Sequence, residues 1–150
     1  MADYALPDYG GYSRQRRDVE YQYGRDASTN AYSRFLSQQR GSRDLGDYQT
    51  NFQRSMPSFQ SGLSRRGLTG PSVQSGVARQ AMQRYVGDYG QQYGRMQQDM
   101  TQGLQQHDLQ QANLDAWRQS SLADIQNQEA MAVAQDAANL QYLREIYGAL

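Results

Sequence analysis

The chain lacks several residue types that would each indicate a class of functional site. It has 150 residues, no cysteine and a single histidine. Without cysteine there is neither a disulfide scaffold nor a thiolate zinc site. All fifteen basic residues are arginine, so the lysine of a phosphate-binding GxxxxGK[ST] loop is also absent. No run approaches the roughly 18 apolar residues of a membrane span, and the first residues contain no apolar segment typical of a secretory signal.

Motifs of catalysis are missing as well. There is no GxSxG, HExxH or EF-hand pattern. His107 is isolated, so we expect a structural role for it. Asp99, Asp108 and Asp115 are nine and seven residues apart, which does not build a metal cluster on one helix face. Arg65–Gly67 is either a phosphate clamp or an exposed turn. We therefore expect a protein that is not an enzyme, with no cofactor, metal or small-molecule substrate.

The composition is poor in the residues that build a core. Hydrophobic residues make up 37%, a figure that includes twelve tyrosines, and mean hydropathy is −0.95. Large aliphatic residues are few, whereas 24 glutamines account for 16% of the chain. Such a composition is typical of chains that are disordered or that order on a partner.

Charge is unevenly distributed along the chain, although the net charge is zero. Residues 1–66 hold ten arginines against seven acids, and residues 67–150 hold five against eight. The basic half would suit an acidic partner or nucleic acid. Alternatively, the two halves complement one another within the chain, or identical subunits pack head to tail.

The second half predicts one very long amphipathic helix over residues 72–150, with Ser72 as its N-cap after Pro71 and Gly148 at its end. Its apolar residues are first spaced three, four, three and four apart, as in a helical seam, and a second step of four resembles a stutter. We expect this seam to be a protein interface. Its members are Val86, Tyr89, Tyr93, Met96, Met100, Leu104, Leu114 and Trp117.

Three glycines interrupt the start of that seam. Gly87, Gly90 and Gly94 each cost about 1 kcal/mol relative to alanine inside a helix. Either a neighbouring backbone approaches closely there, or the helix kinks or breaks. We favour a continuous helix with a small-residue packing face.

The first half predicts an N-terminal arm, a helical segment and a connection. Residues 1–25 are expected to be an extended arm that turns helical around residues 15–23, and residues 26–56 a helix with an interruption at Gly41–Ser42. Pro57 is expected to end that helix and to begin a connecting loop over residues 57–71. Tyrosine and arginine suit protein interfaces as well as nucleic acid, and we favour protein. The predicted arm interface comprises Tyr9, Tyr12, Arg14, Arg16, Arg17, Tyr21 and Tyr23.

Together these segments predict an all-α fold: an elongated helical hairpin with one very long C-terminal helix and an extended N-terminal arm. The two arms of the hairpin are unequal, so the unmatched end of the longer one should pack on another chain. We identify no strict internal repeat, because the recurrence of Asp-Tyr-Gly at 8–10 and 88–90 is too short to count.

Residues 65–85, RRGLTGPSVQSGVARQAMQRY, carry the one resemblance. A turn of the form R-G-L-x-G-small-x-V-x-S-G-V that leads into a helix rich in glutamine and alanine resembles small virion proteins of tailed bacteriophages. The matching positions are Arg66, Gly67, Leu68, Gly70, Pro71, Ser72, Val73, Ser75, Gly76 and Val77. The resemblance implies a tail, head–tail connector or internal ejected protein, present in the virion after synthesis in the host cytoplasm, and carries over no catalytic residue.

Our first hypothesis is therefore a structural subunit that packs against copies of itself or other virion proteins. It predicts that the Met96→Asp, Met100→Asp double variant no longer assembles. The alternatives are a nucleic-acid-binding protein that uses the Arg/Tyr-rich first half, with strongly salt-dependent binding, and a disordered adaptor that folds on its partner.

Overall fold

A computed structural model describes residues 9–68 and 76–147, excluding the side chains of Tyr9 and Tyr147. It contains two helices, α1 (Tyr9–Arg65, 57 residues) and α2 (Gly76–Tyr147, 72 residues), and no strand within these described ranges. The all-α prediction is therefore confirmed. The predicted cap at Ser72 and the predicted stop at Gly148 lie outside the described residues.

The chain divides into two compact units. Unit 1 comprises Met1–Asn30 and Leu109–Leu150, and unit 2 comprises Ala31–Asp108. Each unit pairs a stretch of α1 with a stretch of α2, and in each the partner number falls as the residue number rises. In unit 2, Arg34 pairs with Asp108 and Ser55 with Tyr85. In unit 1, Arg16 pairs with Glu129 and Tyr23 with Asp115. The paired helices are thus antiparallel, and unit 2 is a helical hairpin.

The predicted extended arm is wrong for residues 9–14, which are the first turns of α1, whereas the helix expected around residues 15–23 is confirmed. Gly10 and Gly11 disfavour a helix locally, because each costs about 1 kcal/mol in a helix. The opposing effect comes from contacts with α2, which are made by Arg16, Glu20 and Tyr23. These contacts favour a helix because they require side chains on one face over two turns. Residues 1–8 lie outside the described ranges.

The predicted loop over 57–71 is also wrong at its start, because α1 continues through Gly41–Ser42 and Pro57 to Arg65. Proline inside a helix costs about 3 kcal/mol. Here Pro57 is exposed, so the carbonyl that loses its donor faces water, and beyond it Phe59 and Leu63 still pack on or near α2. That packing explains why the helix continues past the proline.

α1 ends in a Schellman motif. The Gly67 amide donates to the Ser64 carbonyl at 2.9 Å, and the Leu68 amide donates to the Leu63 carbonyl at 3.1 Å. Gly67 has a φ of +69°, a conformation that favours glycine because it has no Cβ. The helix therefore ends where its last carbonyls find local donors, two turns beyond the predicted stop.

Unit 2 is organised by an eleven-residue repeat. The residues turned away from water follow steps of three, four and four on both helices. On α1 they are Ser37, Gly41, Leu45, Tyr48, Phe52, Met56, Phe59 and Leu63, and on α2 they are Met82, Tyr85, Tyr89, Tyr93, Met96, Met100, Leu104 and His107. Eleven residues in three turns is ~3.67 per turn, close to the ~3.6 of a straight α-helix. The second step of four is therefore part of a regular repeat and not a stutter.

The same repeat is visible in the residue classes of the sequence, although it is not a strict repeat of identical residues. On α1, RDLGDYQTNFQ (43–53) is followed by RSMPSFQSGLS (54–64). On α2, RYVGDYGQQYG (84–94) is followed by RMQQDMTQGLQ (95–105). In each pair an arginine occupies the first position, and aromatic residues, methionine or leucine occupy the packed positions. This repeat is difficult to recognise because positions eleven residues apart share a residue class, such as aromatic or aliphatic, but are mostly not identical.

Candidate assembly surface

Five stacked aromatic side chains hold the two helices of unit 2 together. This aromatic cluster consists of Tyr48, Phe52, Phe59, Tyr85 and Tyr89. The Phe52 ring centroid lies 3.8 Å from that of Tyr89 and 5.4 Å from that of Tyr85, and Phe59 stacks on Tyr85 at 4.2 Å. Desolvation raises the pKa of the Tyr89 hydroxyl above its ordinary 10.0, with a smaller contribution from the neighbouring tyrosines. The cluster combines apolar contact with favourable ring geometry.

The hydroxyl groups at the edge of the cluster are satisfied locally. The Tyr48 hydroxyl donates to Gln92 Oε1 at 2.5 Å, and the hydroxyls of Ser55 and Tyr85 lie 2.5 Å apart. Both hydrogen bonds join α1 to α2. Tyrosine is therefore tolerated in this half-buried position because its ring packs while its oxygen keeps a polar partner.

The predicted seam residues fall into two groups. Tyr89, Tyr93, Met96, Met100 and Leu104 are half-buried in unit 2, and Leu114 and Trp117 are half-buried in unit 1. Two of them contact α1 of the same chain: Tyr89 stacks on Phe52, and Met100 lies against Gly41. Their role toward another chain stays a prediction.

Val86, by contrast, lies off the packed face. Its side chain is 45% exposed, and Tyr85 takes the packed position one residue earlier. A three–four spacing places the start of the seam at Val86, whereas the three–four–four spacing places it at Tyr85. The difference follows from reading a heptad into an eleven-residue pattern.

The two helices approach each other closely at Gly41, which was predicted as an interruption of the helix and not as a packing position. A Cβ on Gly41 would lie 2.5 Å from Met100 Cγ and 2.7 Å from its sulfur. A Cβ on Gly87, Gly90 or Gly94 would meet nothing within 4 Å. The prediction of a continuous helix there is confirmed. Within the described part of this chain no backbone approaches these three glycines, so a small-residue packing face toward another chain stays a prediction.

Two open grooves follow the aromatic cluster along one side of unit 2. The larger, about 420 Å³, is lined by Tyr48, Asn51, Phe52, Ser55, Tyr85, Asp88, Tyr89 and Gln92. The smaller, about 220 Å³, is lined by Gly41, Asp44, Met96, Asp99 and Met100. Every residue of the smaller groove is eleven positions from a residue of the larger, as Asp99 is from Asp88. They are successive copies of one surface, not separate sites.

Unit 1 is held by a polar cluster instead, formed by Glu20, Tyr23, Gln111, Asp115 and Arg118. The Tyr23 hydroxyl donates to Asp115 Oδ1 at 2.6 Å, and this hydrogen bond is the main reason that its pKa lies above 10.0. Gln111 Nε2 donates to both Tyr23 and Asp115, at 3.3 and 3.1 Å. The cluster links α1 and α2 through side chains that all have polar partners.

Arg118 ties this polar cluster together. Its Nε and Nη2 donate to the two carboxylate oxygens of Glu20 at 2.9 and 2.7 Å, a bidentate pair. Its guanidinium carbon also lies 4.9 Å from the centre of the Tyr23 ring. The hydrogen bond to Glu20 is the principal cause that raises the Arg118 pKa.

The predicted arm residues divide according to the face of α1 on which they lie. Arg16 forms an ion pair with Glu129, Tyr23 belongs to the polar cluster, and Tyr12 is half-buried. Arg14, Arg17 and Tyr21 are exposed, Tyr21 to 75%. The Tyr9 side chain is outside the described residues. This stretch of α1 therefore packs on α2 of the same chain through one face, and its other face is exposed.

No catalytic arrangement is evident in the described ranges. His107 Nε2 lies 3.3 Å from Ser37 Oγ in the packed face of unit 2. Residues 9–68 and 76–147 contain no cluster of three acidic or histidine side chains suited to a metal ion. None of the described helices combines the length and apolar character needed to cross a membrane.

Comparisons with known proteins give no relative: no family model, no curated protein and no solved structure matches this chain. The bacteriophage resemblance over residues 65–85 therefore stays a prediction. Within that stretch, the described residues show the end of α1 with its left-handed Gly67, and α2 from Gly76. Residues 69–75 lie outside the description.

Proposed function

We propose that this chain is a non-enzymatic structural subunit of a larger assembly, in the class of small bacteriophage virion proteins. The observation that carries the subunit role is the imbalance between buried and exposed apolar side chains. Among the described residues only Leu63 and Ile125 are buried hydrophobic residues, each 7% exposed. A self-sufficient domain of 150 residues buries roughly 68–70% of the surface of its unfolded chain, which calls for a larger core than these two residues provide.

The exposed apolar residues are distributed over both units. In unit 2 they are Tyr32, Phe35, Val77 and Val86, and in unit 1 they are Tyr21, Leu109, Met131, Val133, Leu140, Tyr142 and Ile146. Exposed apolar residues mark a protein interface where they form a contiguous patch, and Tyr142 and Ile146, one turn apart on α2, are adjacent in this way. Copies of the chain or other virion proteins are the partners we propose, and the virion assignment itself rests on the resemblance over residues 65–85.

The structure changes which substitution tests this proposal. Met96 and Met100 are in the packed face of unit 2, so changing them to aspartate would also disrupt the hairpin itself. Tyr142 and Ile146 are better targets. They are four residues apart on α2, so they share a face, and their side chains are 63% and 43% exposed.

We expect the wild-type chain to form an oligomer by light scattering, and the Tyr142→Glu, Ile146→Glu double variant to become monomeric with unchanged helix content. The control is Gln135→Glu, Asn139→Glu, an exposed pair with the same spacing on the same helix that adds the same charge. It should leave the oligomer intact. A monomeric wild-type protein, or equal loss of the oligomer in both variants, would contradict the proposal.

Nucleic-acid binding is the second candidate, and one observation favours it. Apart from Arg34, the eight other arginines of unit 2 form no ion pair with any described residue. If they bind phosphates, the logarithm of the binding constant should fall linearly with the logarithm of salt concentration. Fluorescence anisotropy with a labelled DNA duplex and a single strand at several salt concentrations tests this.

A further inference from the structure

The two units carry opposite net charge. Unit 2 contains nine arginines and five aspartates, a net charge of +4. Unit 1 contains six arginines and ten acidic residues, a net charge of −4. Division of the chain into its two units thus separates the charges more sharply than division at residue 66, which gives +3 and −3.

The basic charge of unit 2 is available and regularly spaced. Arg34 pairs with Asp108 at 2.8 Å, and no other arginine of unit 2 forms an ion pair within the described ranges. Arg43 and Arg54 on α1, and Arg84 and Arg95 on α2, occupy the first position of their eleven-residue repeats and are exposed. Eleven residues of helix rise ~16.5 Å, so each helix presents a guanidinium at a constant interval outside the packed face.

In unit 1 a larger share of the arginines already forms ion pairs. Three of its six arginines already have a carboxylate partner: Arg16 with Glu129, Arg25 with Asp26, and Arg118 with Glu20. Several of its exposed acidic side chains form no ion pair with a described residue. Asp18 and Asp124 form no ion pair with described residues, and Glu145 accepts only a hydrogen bond from Gln141. Unit 1 also leaves Arg14, Arg17 and Arg144 without an ion pair to a described residue, but its net charge is acidic. In unit 2 eight arginines and four aspartates form no ion pair with described residues, so its excess charge is basic.

We infer that copies of this chain associate through opposite units, with the basic unit 2 of one copy against the acidic unit 1 of another. The inference rests on the proposed function and names the partner: a second copy of the chain. Contacts between like units bring net charges of the same sign together, which opposes them. Contacts between opposite units are compatible with a two-fold dimer, in which each unit 2 meets the unit 1 of the other copy, and with a head-to-tail ring or open filament.

A second copy fits the basic surface better than nucleic acid does. Asp88 and Asp99 follow Arg84 and Arg95 by four residues, so a carboxylate accompanies each of these guanidinium groups on the same face. A nucleic-acid strand carries a phosphate every ~3.4 Å of duplex axis, a far denser array than one arginine every ~16.5 Å on each helix. The surface of unit 2 carries both arginine and aspartate side chains at wide spacing. Such a surface is better matched by a protein surface with widely spaced acidic residues than by a nucleic-acid backbone.

A charge exchange tests the inference on the full-length chain. The first variant carries Arg43→Glu, Arg54→Glu, Arg84→Glu and Arg95→Glu, which changes the net charge of unit 2 from +4 to −4. The second carries Asp18→Arg, Asp124→Arg and Glu145→Arg, which changes the net charge of unit 1 from −4 to +2. All seven positions are exposed, so both variants should keep their helix content by circular dichroism.

Light scattering at low salt should show wild-type oligomers whose dissociation constant rises about tenfold or more at high salt. Each variant alone should be monomeric, because both of its units then carry the same sign. An equimolar mixture should restore oligomers, since each mutated unit finds an opposite one on the other variant. Restoration on mixing is the decisive result, because misfolded variants would not produce it.

Three outcomes would overturn the inference. If either variant alone keeps the wild-type oligomer, association does not depend on these charges, and the proposed structural role stands without this interface. If folded variants fail to recover on mixing, opposite units are not the contact. If the wild-type chain is monomeric at every salt concentration but binds the labelled duplex, and the first variant does not, the basic surface serves nucleic acid and the proposed function fails with the inference.

Discussion

The two units solve the same packing problem with different chemistry. Each pairs α1 with α2 in antiparallel fashion, yet unit 2 uses the stacked rings of its aromatic cluster and unit 1 uses ion pairs and hydrogen bonds. Apolar contact is not weakened by charge screening, whereas exposed ion pairs weaken as salt rises. The comparison teaches that the same two helices can pair in stretches with distinct responses to salt, pH and substitution.

Unit 1 accepts polar residues at its packed positions because they satisfy one another. Asn30 is the buried polar residue among those described, 9% exposed, and its amide donates to Gln111 Oε1 at 3.4 Å. No buried side-chain nitrogen or oxygen in the described ranges lacks a partner. Burial of a polar group costs little when its hydrogen bond is made. Ile125 then supplies the apolar contact that this unit retains.

The largest expected effect comes from removing the centre of the aromatic cluster. Phe52→Ala should lower the free energy of unfolding by about 2–3 kcal/mol, toward the low end for a phenylalanine because the site is only half-buried. Phe35→Ala is the control, since Phe35 is 57% exposed, and it should change stability by less than about 0.5 kcal/mol. Urea denaturation measures both. Equal losses would show that the cluster contributes no more than an exposed ring.

A smaller effect should distinguish two glycines of α1. Gly46→Ala should stabilise the chain by about 0.5–1 kcal/mol, because a Cβ there meets nothing within 4 Å and alanine favours helix. Gly41→Ala should lose that gain or reverse it, because Met100 must move to make room. Thermal unfolding followed by circular dichroism gives the comparison. A gain at Gly41 equal to that at Gly46 would show that the helices are not in close contact there.

The smallest effect concerns pH and unit 1. The pKa of Tyr23 is raised in the folded chain, so its contribution to stability is present below pH 10.0 and is lost as pH rises through the folded-state pKa. The melting temperature should therefore fall in this alkaline range, and Tyr23→Phe should reduce the fall. Tyr21→Phe, at a 75% exposed position, is the control and should not. If the two variants behave alike above pH 10.0, the hydrogen bond to Asp115 does not set the alkaline response.

The existence of two helices could be predicted from the sequence, because apolar residues recur at helical spacing in both halves. Their ends could not. Gly10, Gly11 and Pro57 are local signals against helix, and each was given more weight than the contacts formed later by Arg16, Tyr23, Phe59 and Leu63. These contacts join residues far apart in the sequence, so a local rule does not contain them.

The packed face of α2 was predicted correctly for Tyr89 to Leu104 and displaced at its start. Met96 and Met100 follow the spacing under either a seven- or an eleven-residue period, whereas Val86 follows only the first. The polar cluster of unit 1 could not be predicted from the spacing of apolar residues, because its members Gln111 and Arg118 are polar residues of types that usually lie on the surface. Their role appears only when Tyr23 and Glu20 are placed opposite them.

The eleven-residue repeat also restricts how this fold changes length. Loss or gain of one residue in a helix of unit 2 would rotate every later side chain by about 100°, off the packed face, whereas four or seven residues would rotate it by roughly 20–40°. Removing 43–53 from α1 together with 95–105 from α2 would instead bring equivalent residues to the same places, since Phe52 and Leu63, or Met96 and Tyr85, are eleven apart. The packing of this hairpin is therefore best preserved when both helices change length together by eleven residues, or ~16.5 Å. Related chains of different size should differ by whole numbers of such steps.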